Sequence, residues 1–249
     1  PIVRFGLTTY TSQDGDASPP CPRLPTQVDF ALDNAGTIAN QSIFPYSYPS
    51  QDGDDTPTGD SIDALVGLIQ SSPPPADGPT IIVFATDGEP DSCEVPDPNP
   101  TDGARAEVVT AAAAAHALGI DVSVLWIGTL TNSSTRDHLQ QVADAGLGGT
   151  GTVWVGDDPS NLEDSFRQII ADSISCDVQM DKRLDEDMAC NDPDSDVRLD
   201  GVPLACPTEW RVKPGDDDVI ELVGSACDTF KSGDVTFSAT FPCGAVIVE

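Results

Sequence analysis

The sequence predicts an α/β fold on a mostly parallel sheet over residues 1–175, followed by a small disulfide-rich all-β annex over residues 176–249. Three observations carry this. Strand-length apolar runs alternate four times with helical segments between residues 50 and 174, the pattern of right-handed βαβ units. One of those runs, "TIIVFAT" at 80–86, is continuously apolar in its middle, as strands buried on both faces of a parallel sheet are. From Cys176 onward the texture changes to short strand patterns, turns at "LDGV" and "KPGDDD", and five of the seven cysteines.

The elements follow in order. "PIVRFGLTTY" at 1–10 and "TQVDFAL" at 26–32 read as neighbouring strands across a loop rich in Gly, Asp and Pro. In "TPTGDSIDALVGLIQ", Ile62, Leu65, Val66 and Ile69 fall at i, i+3, i+4 and i+7, one apolar helix face, which "SSPPPADGP" ends. After the 80–86 strand comes a polar loop with Pro90, Pro96, Pro98 and Pro100, then an alanine-rich helix over about 104–118 stopped by Gly119. "IDVSVLWIG" is a buried strand, "STRDHLQQVADAG" a helix, "TVWVG" a short strand and "DPSNLEDSFRQIIADSI" a helix with Pro159 in its first turn. The annex strands are "CDVQMD", "VRLDGVPLA", "EWRVKP", "DVIELVG" and "VTFSATFPC".

With 42 acidic and 11 basic residues, the chain carries 31 net negative charges, which makes nucleic acid and anionic membrane surfaces poor partners. The excess acid reads either as a solvated surface or as repulsion relieved by divalent cations. Seven widely spaced cysteines with no CxxC pair and only His116 and His138 do not make a zinc site. They read as disulfides, hence an oxidising, secreted or cell-surface setting, with one thiol left over. No run of about 18 apolar residues is present, so no membrane span is expected.

Ligands of open α/β sheets bind beyond the carboxyl ends of the strands. Asp87 follows the 80–86 strand at such an end, and Thr56 precedes the helix leading into that strand. A hydroxyl and a carboxylate on converging loops are hard oxygen ligands suited to Mg²⁺, Ca²⁺ or Mn²⁺. Alone, each has an ordinary alternative: Thr56 as a helix cap, Asp87 as a turn residue.

"DTPTGDSIDAL" followed by "IIVFATDGEP" resembles the von Willebrand factor type A domain, and the resemblance covers about residues 1–175. It implies a Rossmann-like sheet with helices on both faces and a metal-ion-dependent adhesion site at the top, in which Thr56 matches the family's Thr and Asp87 its Asp. The family's Asp-x-Ser-x-Ser motif occurs nowhere in this sequence. Residues 2–9 resemble the family's second strand, so the expectation is a missing first strand between 2–9 and 80–86, supplied by an upstream segment or another chain. The loops "TDGEPDSCEVPDPNP" and "SPPCP" resemble those of secreted or lipid-anchored bacterial members that carry cysteines there, which implies a Cys21–Cys93 bridge. The annex is similar to the tail of the same group; its bridges stay open among 15 arrangements, with Cys176–Cys243 suggested as a tie between its ends.

Other candidates are weaker. Asp192, Asp194 and Asp196 alternate as in a calcium loop, but Val197 stands where the tight turn needs Gly and Pro203 where the bidentate Glu belongs, which favours a solvated acidic turn. Trp126, Trp154 and Trp210 lie within strand patterns as packing anchors. No GxSxG, HExxH or Walker-type loop is present, and the expectation is a protein that is not an enzyme. The expected function is extracellular binding or adhesion, in which a divalent cation engages an acidic residue of a protein partner. The alternative is a structural subunit of an extracellular assembly or filament with a vestigial metal site.

Overall fold

The computed structural model describes residues 3–11, 21–25, 27–40, 56–76, 78–94, 103–232 and 235–247. The prolines at 96, 98 and 100 and most of the "SPPCP" loop lie outside the described residues. The chain divides into two compact units, residues 2–169 and 170–249.

The first unit runs β1 (Phe5–Thr8), β2 (Gln27–Ala31), α1 (Ala35–Ala39), α2 (Thr58–Ser71), β3 (Thr80–Thr86), α3 (Ala104–Ala117), β4 (Ile120–Ile127), α4 (Ser133–Gly146) and β5 (Val153–Gly156), with α5 (Pro159–Ser173) beginning in it. Strands β3, β4 and β5 form a parallel sheet in that order, with Thr80 opposite Ile120, Thr86 opposite Trp126 and Val124 opposite Val153. Sequential parallel strands joined by helices are what the alternating pattern predicts.

The burial within this sheet differs from the sequence reading in one respect. Strand β3 buries Ile82, Phe84 and Thr86 on one face, while Ile81 and Val83 are half-buried and Ala85 is exposed. The strand buried on both faces is β4, where Val122, Ser123, Val124, Leu125 and Trp126 are all buried. Strand β4 is also the middle strand of this sheet, with β3 and β5 beside it, whereas β3 pairs only with β4 and β1 only with β2 among the described residues.

Helices α2, α3 and α4 share one core with this sheet. Ile62, Val66 and Ile69 of α2 recur at helical spacing and are buried with Ile82 and Phe84, each such side chain contributing about 1.5–3 kcal/mol. In α3 the buried stripe is Ala104, Val108, Ala111, Ala112 and Ala115, and these small side chains let it lie between α2 and α4. Gly119 takes the left-handed φ of +78° just past this helix, the stop that the sequence predicts. The sequence pattern does not announce α4's cap, yet Asn132 accepts hydrogen bonds from Ser134 N (2.9 Å) and Thr135 N (3.4 Å).

In the second unit β6 (Asp177–Gln179), β10 (Asp216–Leu222) and β9 (Trp210–Lys213) form one antiparallel sheet, in the order β6-β10-β9. Strands β11 (Phe237–Thr240), β7 (Asp196–Leu199) and β8 (Val202–Pro203) form another. The expectation of an all-β annex is corrected by two helices, α6 (Glu186–Asn191) and α7 (Ser225–Lys231). The first is nucleated by Asp185, whose carboxylate accepts from Met188 N at 2.9 Å, with Glu186 and Asp187 favouring the positive helix end. Asp192 ends that helix and accepts from Asp194 N, and Asp196 pairs with Arg198 at 2.7 Å, so the alternating aspartates serve a turn and a strand.

Three disulfides are present, Cys21–Cys93, Cys176–Cys227 and Cys190–Cys206, and they fit a secreted or extracellular protein. The suggested Cys176–Cys243 tie is wrong. Leu222 N donates to Cys176 O at 2.8 Å, which sets Cys176 beside the end of β10, where α7 presents Cys227; Cys243 is free and exposed. No helix among the described residues is long and apolar enough to cross a membrane.

Candidate functional site

The turn after β3 folds back on the start of α2. Thr56 is the hinge of this contact: its hydroxyl donates to Glu89 O at 2.7 Å, and its backbone N–H donates to Asp91 Oδ2 at 2.9 Å. The same carboxylate oxygen lies 3.3 Å from the Thr56 hydroxyl, and Asp91 N returns a bond to Thr56 O at 2.9 Å. Thr56 is therefore not a side-chain cap of α2, whose N-cap is Pro57 and has no side-chain hydrogen bond. Its hydroxyl is committed to the loop that carries Asp87.

Asp87 is exposed, directly behind the buried Thr86. Its charge is felt by Tyr10, which joins a set of hydroxyls nearby. Tyr10 Oη lies 3.4 Å from Thr58 Oγ1, and Thr58 Oγ1 donates to Thr56 O at 3.1 Å. Burial raises the Tyr10 phenol above its ordinary range, hydrogen bonds with Thr58 and Thr86 oppose this, and the Asp87 charge raises it further. Tyr10 is thus the group that senses Thr58, Thr86 and the Asp87 charge at this end of β3, with its ring 6.3 Å from that of Phe84.

Asp91 is the residue that sequence reasoning missed. It and Asp87 are four residues apart in "DGEPD", and nothing in that spacing tells which carboxylate turns back to Thr56. The oxygen donors here are of the kind that Mg²⁺, Ca²⁺ or Mn²⁺ accept, but they fall short of the six or more that such ions take. No group of three or more His, Cys, Asp or Glu side chains among the described residues is placed to hold a metal ion.

No protein-family model matches this chain, no curated protein matches it, and no solved structure matches it.

Beside Thr56 lies a second acidic feature. Asp60, in the first turn of α2, accepts from Cys93 N at 2.8 Å, tying the helix to the bridged cysteine. Gly59 faces Glu107 of α3 so closely that an added Cβ would sit 2.7 Å from Glu107 Cγ. Burial, first, and then the charges and hydrogen bond of Asp60, with Asp63 and Glu94 adding to them, push the Glu107 carboxyl up to about 7. Its folded pKa is raised above the unfolded value of 4.5, so the proton it holds stabilises the fold fully below about pH 4.5, and that contribution is lost as pH rises to about 7. Solvent screening of this half-buried group leaves about 1 kcal/mol. Glu107→Gln should therefore match the parent in urea titrations at pH 4.5 and exceed it by about 1 kcal/mol at pH 8. Equal stabilities at pH 8 would show that the acidic neighbours do not strain this site.

Proposed function

We propose that this protein is a non-enzymatic extracellular binding module that holds a divalent cation at the carboxyl end of β3 and uses it to engage a carboxylate of a protein partner. The observation that carries the reading is the joining of the Thr56 and Asp87 loops through Thr56 Oγ1, Glu89 O and Asp91. Thr56 and Asp87 would hold Mg²⁺, Ca²⁺ or Mn²⁺, which supplies a Lewis-acidic open position when bound. The strongly acidic surface raises the local cation concentration and turns away broadly acidic partners, so the partner must offer its carboxylate from a neutral or basic patch.

The missing oxygens belong, in this reading, to a further strand between β1 and β3, coming from an upstream segment or a separate chain. What supports it is the one-sided pairing of β3 and of β1 among the described residues, beside half-buried Ile81 and Val83. Unpaired strand edges flanked by apolar side chains favour addition of a strand. The same open edge supports a second reading, a structural subunit that receives a strand from its neighbour in an extracellular assembly.

Calorimetric titration of the full-length protein with each of the three cations, beside its Asp87→Ala variant, tests the first reading. The expected result is saturable binding that weakens at least tenfold in the variant. Absence of metal-dependent heat, with partner binding unchanged by Asp87→Ala, would leave the scaffold reading.

A further inference from the structure

The turn after β3 carries a second polar constellation, separate from Thr56 and Asp87. Glu89 is held by a bidentate guanidinium: Arg105 Nε donates to Oε2 at 2.8 Å and Nη2 to Oε1 at 2.7 Å. The Thr135 hydroxyl donates to the same Oε1. The remaining arm of the guanidinium, Nη1, donates to Ser134 Oγ at 2.7 Å, which fixes the fork. Three elements converge: the β3 turn, the first turn of α3, and the first turn of α4, whose N-terminal end is positive.

One turn further along α4, His138 is 4% exposed, and its Nδ1 is buried without a hydrogen-bond partner among the described residues. It lies close enough to feel both charges. Burial lowers its pKa to about 4, the Arg105 charge lowers it further and the Glu89 charge opposes both. A buried, neutral imidazole therefore lies within electrostatic reach of the ion pair, whose receptor groups are a guanidinium and a hydroxyl.

This is a complete receptor for a carboxylate, and a carboxylate of the chain itself sits in it. The Glu89 side chain is 42% exposed and that of Arg105 22%, so the occupant faces solvent while the receptor is set back. Both carboxylate oxygens of Glu89 are engaged, Oε2 by Arg105 Nε and Oε1 by Arg105 Nη2 and the Thr135 hydroxyl, so the resident side chain competes directly with any incoming carboxylate. The tether that carries it is a short turn, from Thr86 to Asp91, and a tethered occupant competes at an effective concentration on the order of millimolar.

We propose that Arg105, Thr135 and the start of α4 form a carboxylate-binding site with Glu89 as its resident, and that a glutamate or aspartate side chain of a partner peptide displaces Glu89. The site works without a metal, and so stands apart from the reading above. Glu89 acts as the gate: while its side chain is docked the cradle is closed, and the bonds from Thr56 to Glu89 O and to Asp91 keep the turn itself in place when the side chain leaves.

The test uses the full chain in EDTA, with a short peptide of glycine, serine and lysine bearing one glutamate, and the same peptide with glutamine as control. Glu89→Ala is expected to bind the glutamate peptide at least tenfold more tightly than the parent. Arg105→Ala added to Glu89→Ala should abolish that gain, and the glutamine peptide should bind neither variant. Glu89→Gln keeps the side chain's size and reports on the cradle if the alanine variant fails to fold; it too should gain affinity. No gain in either Glu89 variant, or a gain that survives Arg105→Ala or extends to the glutamine peptide, would overturn the proposal. Because no metal is present, none of these outcomes bears on cation binding by Thr56 and Asp87.

Discussion

Reduction of the disulfides unfolds the 170–249 unit while the 2–169 unit keeps its sheet. The bridges Cys176–Cys227 and Cys190–Cys206 span 51 and 16 residues, and loop-closure entropy assigns them about 4 and about 3 kcal/mol. Together that is comparable with the whole stability of a small domain, about 5–15 kcal/mol, and near the lower end for a unit of this size. The unit has a compact core around Trp210, Val212, Ile220 and Leu222, with Trp210 donating from its indole to Leu204 O at 3.2 Å and packing edge-on to Phe241. That core fills the space between two three-stranded sheets, which is a thin basis without the bridges. Hydrogen exchange in dithiothreitol checks this: amides of β9 and β10 should lose protection, and amides of β4 should keep it. Persistent protection in β10 would mean that the apolar core alone suffices.

Gly146→Ala costs the first unit about 3 kcal/mol or more. Gly146 is the last residue of α4 and lies against β4, where an added Cβ would meet the Val122 carbonyl oxygen inside contact distance and Val122 Cβ at 2.8 Å. Val122 is fully buried in the doubly paired strand, so neither partner can yield and the helix must lift. Gly67 is the matched control. It lies in α2 with nothing within 4 Å of an added Cβ, and Gly67→Ala should stabilise by about 0.5–1 kcal/mol through helix propensity and unfolded-state entropy. Urea midpoints of the two variants should move in opposite directions; a Gly146→Ala midpoint at or above that of the parent would show that α4 does not rest on β4 as closely as described.

The local elements were readable because their signals are local. The i, i+3, i+4, i+7 pattern of Ile62, Leu65, Val66 and Ile69 states a helix whatever it packs against, and the run "TIIVFAT" states a strand. The two annex helices escaped because each is short and acidic or set between strands, with an Asp185 cap as the only sign of the first. The site was legible in part. Thr56 could be marked from its place before a helix, yet its partner Asp91 lies 35 residues on, and Glu89 finds Arg105 16 residues on and Thr135 46 residues on. Such pairings depend on where three loops end up, which no period in the chain encodes.

By itself the sequence determined the type of each long element, the parallel βαβ order of residues 80–156, the acidic character and the use of cysteines in disulfides, because periodicity, composition and charge are properties of neighbouring residues. The tertiary structure alone decided that Cys176 meets Cys227 rather than Cys243, that β4 and not β3 is the strand enclosed on both faces, and that Glu89 occupies the Arg105 cradle. Each of these depends on contacts between segments far apart in the chain, which the packing of helices and strands brings together and the pattern of neighbouring residues does not encode.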